Sequence, residues 1–269
     1  MTRPTAHDPI TRQVRQTVSD LIAGDPSPQH LRLALRTLAK WRCHVLTQQV
    51  LNRSGSRVQS GPFAGMIYDG PQSEGARIPR LLGYYEKTLV PYINLIISGG
   101  YEQVMDIGSA EGYYAVGMAL RMPTARIMAY EIDPNARALL KRLVQSNGVS
   151  ARVDLFDACT HDSFALCTQC KTAIICDIEG AEDTLLDPAR APGLRDADLL
   201  VETHPGSVRG VMSRLRERFA ATHDVTVIGR HCDTESLPDW MEQLDDMDRM
   251  LALWEWRATP TPWLWMVRK

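Results

Sequence analysis

From Glu102 onwards, short apolar segments alternate with segments of helical periodicity, and few folds accept that order. Strands separated by helices read as a mostly parallel sheet with helices on both faces, because a parallel pair needs a long crossover. Seven strands are expected: Gln103 to Ile107, Arg126 to Glu131, Arg152 to Phe156, Ala173 to Asp177, Asp198 to Glu202, Val225 to Gly229 and Trp263 to Val267. Pro260, Thr261 and Pro262 precede the last strand, which is therefore reached by a loop and expected to run antiparallel. Asp133 as N-cap, Pro134 at the first helical position and Asn147-Gly148 as a stop punctuate the helix after the second strand.

Ahead of this region, residues 9 to 50 carry helical periodicity, with Val14, Val18, Leu21 and Ile22 in one stripe. Leu31, Leu33, Leu35, Leu38 and Trp41 form another, and Asp25-Pro26-Ser27-Pro28 separates the two. Asn52 to Gly75 reads as irregular loop or short strand. Leu81 to Ile97 reads as helix, with Pro91 starting a new one or kinking it. We therefore divide the 269 residues into a helical extension and loop, 1–77, and one α/β domain, 78–269.

A net charge of -2 and the lack of a sustained basic run exclude a global nucleic-acid footprint. Arg3, Arg12, Arg15, Arg32, Arg36, Lys40, Arg42, Arg53 and Arg57 make the start locally basic, as a solvated helical face does. No apolar run approaches the ~20 residues of a membrane span, and the N-terminus lacks the apolar core of a signal peptide, so a cytoplasmic protein without membrane partners is expected. Six scattered cysteines read as reduced thiols. Cys167 and Cys170 have the spacing of half a zinc site, but no second pair completes it. The acidic segment Asp233 to Asp248 is expected to cover one face. Trp254, Trp256, Trp263 and Trp265 are expected to fill the packing against the last strand.

Open α/β sheets bind ligands at the carboxyl ends of their strands, beside the point where strand order reverses. The first strand ends there in Val104-Met105-Asp106-Ile107-Gly108-Ser109-Ala110-Glu111-Gly112-Tyr113-Tyr114-Ala115, a glycine turn carrying acids into a helix. Gly108 and Gly112 permit tight turning and close approach of a ligand to backbone. No Lys follows the second glycine, which excludes a phosphate-gripping P-loop. The Gly-x-x-x-Gly spacing and the Glu111 carboxylate weigh against a dinucleotide, whose pyrophosphate sits at such a turn. A ligand with cationic groups fits better, and S-adenosylmethionine carries a sulfonium and an ammonium beside one carboxylate. Glu131, ending the second strand, can accept hydrogen bonds from both hydroxyls of a ribose. Asp157, ending the third, can accept one from an exocyclic adenine amine, with Ala158 packing nearby.

Asp106 to Gly112, followed by Tyr130-Glu131-Ile132-Asp133-Pro134, resembles the cofactor-binding signature of class I S-adenosylmethionine-dependent methyltransferases. Cys176-Asp177-Ile178-Glu179-Gly180-Ala181-Glu182 and Val201-Glu202-Thr203-His204 resemble the Asp-x-Glu-Gly-Ala-Glu and Glu-x-His segments of their FkbM-type branch. The resemblance implies a Rossmann-like fold and O-methylation of a small-molecule or saccharide hydroxyl. By that resemblance Asp106, Gly108, Ala110 and Gly112 shape the methionine pocket, Glu131 holds the ribose, Ile132 packs on adenine and Asp157 meets its amine. Asp177 then faces the transfer site. Tyr85 and Glu86 lie in the segment where such enzymes place a helix over the cofactor, and are expected to close it.

Methyl transfer is an in-line displacement, so the protein mainly aligns the reacting atoms and excludes water. For a hydroxyl acceptor a base helps, and His204, Asp177 and Glu179 are the candidates, His204 being expected at the sheet rim. With Glu202 they also have the types to hold a divalent metal, although a metal-free site is the expectation. The rival readings are an inactive cofactor-binding or regulatory partner, an N-methyltransferase, and a nucleotide-dependent oxidoreductase that Glu111 disfavours. The N-terminal helices are candidates for a homodimer interface or a lid.

Overall fold

A computed structural model describes residues 8–24, 27–70, 76–231 and 237–269. Arg3, Asp25, Pro26, Gly75, Cys232 and Asp233, named above, lie outside the described residues. Four helices come first: α1 (Pro9–Ala23), α2 (Pro28–Ser54), α3 (Arg77–Leu82) and α4 (Val90–Ser98). The alternating region then runs β1 (Gln103–Ile107), α5 (Tyr113–Arg121), β2 (Arg126–Tyr130), α6 (Pro134–Ser146), β3 (Val153–Phe156) and β4 (Thr172–Cys176). It continues through α7 (Glu182–Leu185), β5 (Ala197–Glu202), α8 (Val211–Phe219), β6 (His223–Ile228), α9 (Asp246–Ala252) and β7 (Trp263–Arg268).

The strands form one sheet in the order β3-β2-β1-β4-β5-β7-β6. Those from β1 to β5 pair in parallel, and β7 runs antiparallel between β5 and β6. All seven expected strands are present, and the last has the expected direction. Side-chain alternation divides the core into two layers. Val104, Ile127, Ala129 and Ile175 meet Leu81, Ile93, Ile96 and Val116 on one face. Met105, Met128, Ile174 and Cys176 meet Leu194, Leu215 and Phe219 on the other. Every residue of β1, β4 and β5 is buried, as central parallel strands covered on both faces must be. Each large apolar side chain removed from water there contributes ~1.5–3 kcal/mol.

Strand order reverses between β1 and β4, which opens a crevice at their carboxyl ends. The Asp177 N–H donates to the Ile107 carbonyl across it at 2.9 Å. Leu81 to Ile97 is not one helix: Gly83, at φ 81°, ends α3, and Pro91 sits in the first turn of α4, where its missing N–H costs nothing.

α1 lies along α2 through half-buried Val14, Val18 and Leu21, and the Trp41 indole N–H donates to the Thr11 hydroxyl at 3.0 Å. The leucine stripe of α2 is not its inward face, since Leu31, Leu33, Leu35 and Leu38 are 61%, 50%, 68% and 43% exposed. Instead α2 docks through Val45, Leu46 and Val50, and Arg42 pairs with buried Asp248 of α9. That ion pair ties the described part of the acidic segment to the helical extension. Trp263 and Trp265 are buried, while Trp254 stacks on Trp256 at 4.3 Å. The Cys167 thiol packs on the Met105 sulfur at 3.6 Å, and the cysteines among the described residues are free. No helix among the described residues is long and apolar enough to cross a membrane.

Candidate active site

β1 delivers Asp106 to the crevice, and the chain turns at once. Gly108 has φ 83°, and a Cβ there would lie 1.7 Å from the Asp177 carbonyl oxygen, so only glycine lets the two loops pass. Gly108 and Ser109 both donate their N–H to the Tyr130 carbonyl, at 2.9 and 3.0 Å. Glu131 straps the turn from the other side, its carboxylate accepting from the Ala110 and Asp133 N–H groups at 2.8 Å each.

The loops after β1 to β4 enclose a cavity of about 550 Å³, a size ordinary for small-molecule sites. Tyr85, Asp106, Gly108, Ala110, Glu131, Ile132, Asp157, Ala158, Asp177 and Glu179 line it; Glu86, Gly112 and His204 do not. Gly112 acts one step back: a Cβ there would come within 2.3 Å of the Leu140 side chain, so its absence seats α5 against α6.

Glu86 departs from the expectation that it closes the site. Its residue has φ 48°, and its buried carboxylate accepts from the Tyr114 hydroxyl and the Arg257 guanidinium. Burial and the nearby Glu202 carboxylate push its pKa up to about 7. Partners for a buried charge outweigh ligand contact here. Tyr85 remains in the cavity wall, its ring 4.2 Å from the Arg80 guanidinium.

Glu111 is likewise not free to attract a cation, because it is 3% exposed and paired with Arg80. It also accepts from the Tyr68 hydroxyl. Its charge is cancelled inside the protein, which removes Glu111 as an argument against a dinucleotide. Tyr68 comes from the stretch read as irregular loop, which is packed into the core through Val58, Phe63 and Met66. Phe63 covers Gly117, where a Cβ would meet its ring at 2.5 Å. The apolar residues Val58, Phe63, Met66 and Tyr68 within it were the available signal for that packing.

Asp106 keeps one carboxylate oxygen uncommitted. It is 2% exposed, and its Oδ2 meets no donor. Burial pushes its pKa up to about 7 against the lowering effect of hydrogen bonds from Ser109 and Ala115. A buried carboxylate oxygen of this kind asks for a donor, and an ammonium group on a ligand supplies one. Further along, Ile132 is 76% exposed between Glu131 and Asp157, an apolar face beside two acceptors. The Asp157 carboxylate is itself exposed and lies 3.2 Å from Arg137.

Just past β4 and β5 a second group of acids converges on His204. The imidazole is not at the rim but 5% exposed, with Nδ1 2.7 Å from the Glu182 carboxylate. Nε2 faces Glu179 at 3.4 Å and Asp177 and Glu202 at 3.6 Å each. Burial opposes charge on His204, but the Glu182 hydrogen bond and the surrounding carboxylates raise its pKa. Burial, reinforced by Glu202, holds the Asp177 pKa well above the usual carboxylate range. Arg257 bridges Glu202 to Glu86 and touches Glu255 at 3.0 Å. Nothing local to Arg80 or Tyr68 announced these roles, and Arg257 meets Glu86 and Glu202 only through the fold.

Residues 89–172 match the model of a family described as O-methyltransferase. No curated protein sequence matches the chain. Similar solved structures include a candidate O-methyltransferase from Klebsiella pneumoniae, at 13% identity over 96% of each chain with a TM-score of 0.46. Another is the O-methyltransferase TomG from Streptomyces achromogenes, involved in tomaymycin synthesis and solved with S-adenosylmethionine. It shares 15% identity over 67% of this chain and 80% of that one, with a TM-score of 0.44. The C-terminal domain of precorrin-6Y C5,15-methyltransferase from Rhodobacter capsulatus gives 13% identity over 67% and 89%, with a TM-score of 0.42.

Proposed function

We propose that this protein is an S-adenosylmethionine-dependent O-methyltransferase acting on a hydroxyl of a small molecule or saccharide. One observation carries the reading: the cavity at the β1/β4 switch point holds a buried carboxylate oxygen without a donor, on Asp106, in line with Glu131 and Asp157 at the next two strand ends. The family match over residues 89–172 supports oxygen as the acceptor atom. The segments Cys176 to Glu182 and Val201 to His204 support the FkbM-type branch. Residues 78–269 form the transferase domain, and 1–77 extend it.

The cofactor is S-adenosylmethionine, which supplies an electrophilic methyl group when bound. Asp106 takes the ammonium end, Glu131 the ribose hydroxyls, and Ile132 with Asp157 the adenine. Asp177 and Glu179 border the acceptor side of the cavity, and burial beside Glu202 raises the Asp177 pKa, which makes its carboxylate a stronger base toward an acceptor hydroxyl than an exposed one. Tyr85 and Tyr114 wall the cavity and keep water from the reacting centre.

Calorimetry tests the donor half: one molecule of S-adenosylhomocysteine should bind per chain, and a folded protein that binds neither it nor the methylated form ends the proposal. Labelled S-adenosylmethionine incubated with saccharide and small-molecule hydroxyl acceptors tests the other half. Label should appear as a methyl ether.

A further inference from the structure

A donor with an amino acid terminus brings a carboxylate into the cavity as well as an ammonium, and Asp106 answers only the ammonium. A carboxylate taken out of water needs hydrogen-bond donors of its own. Arg80 of α3 is placed to supply them, because it lines the same cavity and is 4% exposed.

The guanidinium is only partly spent. Its Nη1 donates to the Glu111 carboxylate and, at 3.3 Å, to the Tyr68 hydroxyl, while Nε is buried and meets no acceptor. One edge of an arginine that matches a carboxylate with two parallel hydrogen bonds runs from Nε to Nη2. Glu111 engages Nη1, so the Nε side is left over. Arg80 cannot relieve this by losing its proton, since an arginine stays charged even when buried.

Its neighbours hold the group in one plane. The Tyr85 ring covers it at 4.2 Å and the Tyr113 ring lies 5.9 Å away, so stacking occupies a face and leaves the edge for hydrogen bonding. Glu111 and Tyr113 belong to the glycine turn and the start of α5, which places Arg80 beside the turn that follows Asp106. α5 opens on Gly112 without a side-chain cap, and Tyr113 and Tyr114 of its first turn line the cavity. A helix start of this kind also favours an anion. The cavity wall therefore carries an unmet acceptor on Asp106 and an unmet donor on Arg80. That pairing is complementary to a zwitterion.

We propose that Arg80 binds the carboxylate of the donor's amino acid terminus through its Nε edge while Asp106 takes the ammonium, and that Glu111 and Tyr85 position the guanidinium. This rests on the methyltransferase reading and deepens it: the pocket selects an intact amino acid end against a decarboxylated donor, which offers the ammonium alone. Glu111 also sets a limit on that selectivity, because its charge opposes a second carboxylate at the same guanidinium.

The test is titration calorimetry of the full-length protein with S-adenosylhomocysteine and with its decarboxylated analogue. Wild type should prefer the carboxylated ligand about 10–100-fold, the worth of a charge-assisted hydrogen bond. Arg80→Met combined with Glu111→Leu removes the guanidinium without leaving a buried charge behind. That double variant, shown to be folded by its thermal unfolding, should lose the preference by weakening the first ligand and leaving the second unchanged. Glu111→Gln keeps Arg80 but releases it from its countercharge, and should widen the preference about threefold or more. An arginine serving the fold alone would not produce that change. Equal wild-type affinities, a preference that survives in the double variant, or one unmoved by Glu111→Gln overturns the proposal. Folded wild type that binds neither ligand refutes the methyltransferase reading, whereas equal binding of both refutes the role of Arg80 alone.

Discussion

Replacing Asp106 with Asn separates what this residue costs the fold from what it gives a ligand. Burial moves its pKa from 3.8 to about 7. A folded value above the unfolded one means that the native state holds the proton longer. The native advantage is therefore complete below about pH 4 and is lost as pH rises to about 7. At ~1.4 kcal/mol per tenfold, ionised Asp106 costs the ligand-free fold about 4 kcal/mol above that window. Asn keeps the shape and never ionises. Asp106→Asn should then stabilise the free protein by up to about 4 kcal/mol at pH 8, or roughly 8 °C in Tm, and by only about 1 kcal/mol at pH 4.5. The same change should weaken S-adenosylhomocysteine binding about 10–100-fold, because a charge-assisted hydrogen bond of ~1.5–3 kcal/mol is lost. Scanning calorimetry at the two pH values and titration calorimetry with the ligand measure both effects. An equal Tm change at pH 4.5 and pH 8, or a loss of stability at pH 8, refutes the burial argument; unchanged affinity removes Asp106 from the site.

Three further outcomes follow from buried contacts. Arg80→Met removes the countercharge of buried Glu111 and should cost about 3–5 kcal/mol in urea unfolding, and adding Glu111→Leu should restore most of it; a loss under about 1 kcal/mol from the single change would show that the pair is not structural. Gly108→Ala combines a left-handed backbone with a carbon driven onto the Asp177 carbonyl, so it should cost about 3 kcal/mol or more and remove cofactor binding, as read by thermal shift with and without ligand. Arg257→Gln leaves Glu86 and Glu202 facing each other in a buried site and should cost about 3–5 kcal/mol at pH 8. Because the Glu86 pKa is about 7, that loss should shrink at pH 5, where the carboxylate takes up a proton; a loss that does not change with pH rules the charge argument out.

The strands and the turns between them were legible because their signals are local. Period, proline and glycine placement fixed seven strand positions and the direction of β7 without any knowledge of neighbours. Side-chain commitments were not legible, and Asp106 and Glu111 show why. Both are acids of one short loop, and both end up buried. Arg80, 31 residues upstream, reaches Glu111, while no protein donor reaches Asp106 Oδ2. The exposed leucines of α2 repeat the lesson, since periodicity finds a stripe without saying what covers it. An acid at a strand end therefore reads most directly as ligand-binding where the fold leaves one of its oxygens without a partner, as at Asp106, whereas Glu131 and Asp157 keep that reading from their place in the cavity wall. Among the described residues the buried carboxylate oxygens without a hydrogen bond belong to Asp106, Asp177 and Glu182, and the first two line the cavity. Those two stand at the ends of β1 and β4 on either side of the crevice, so the fold leaves one unsatisfied carboxylate oxygen on each wall of the cavity.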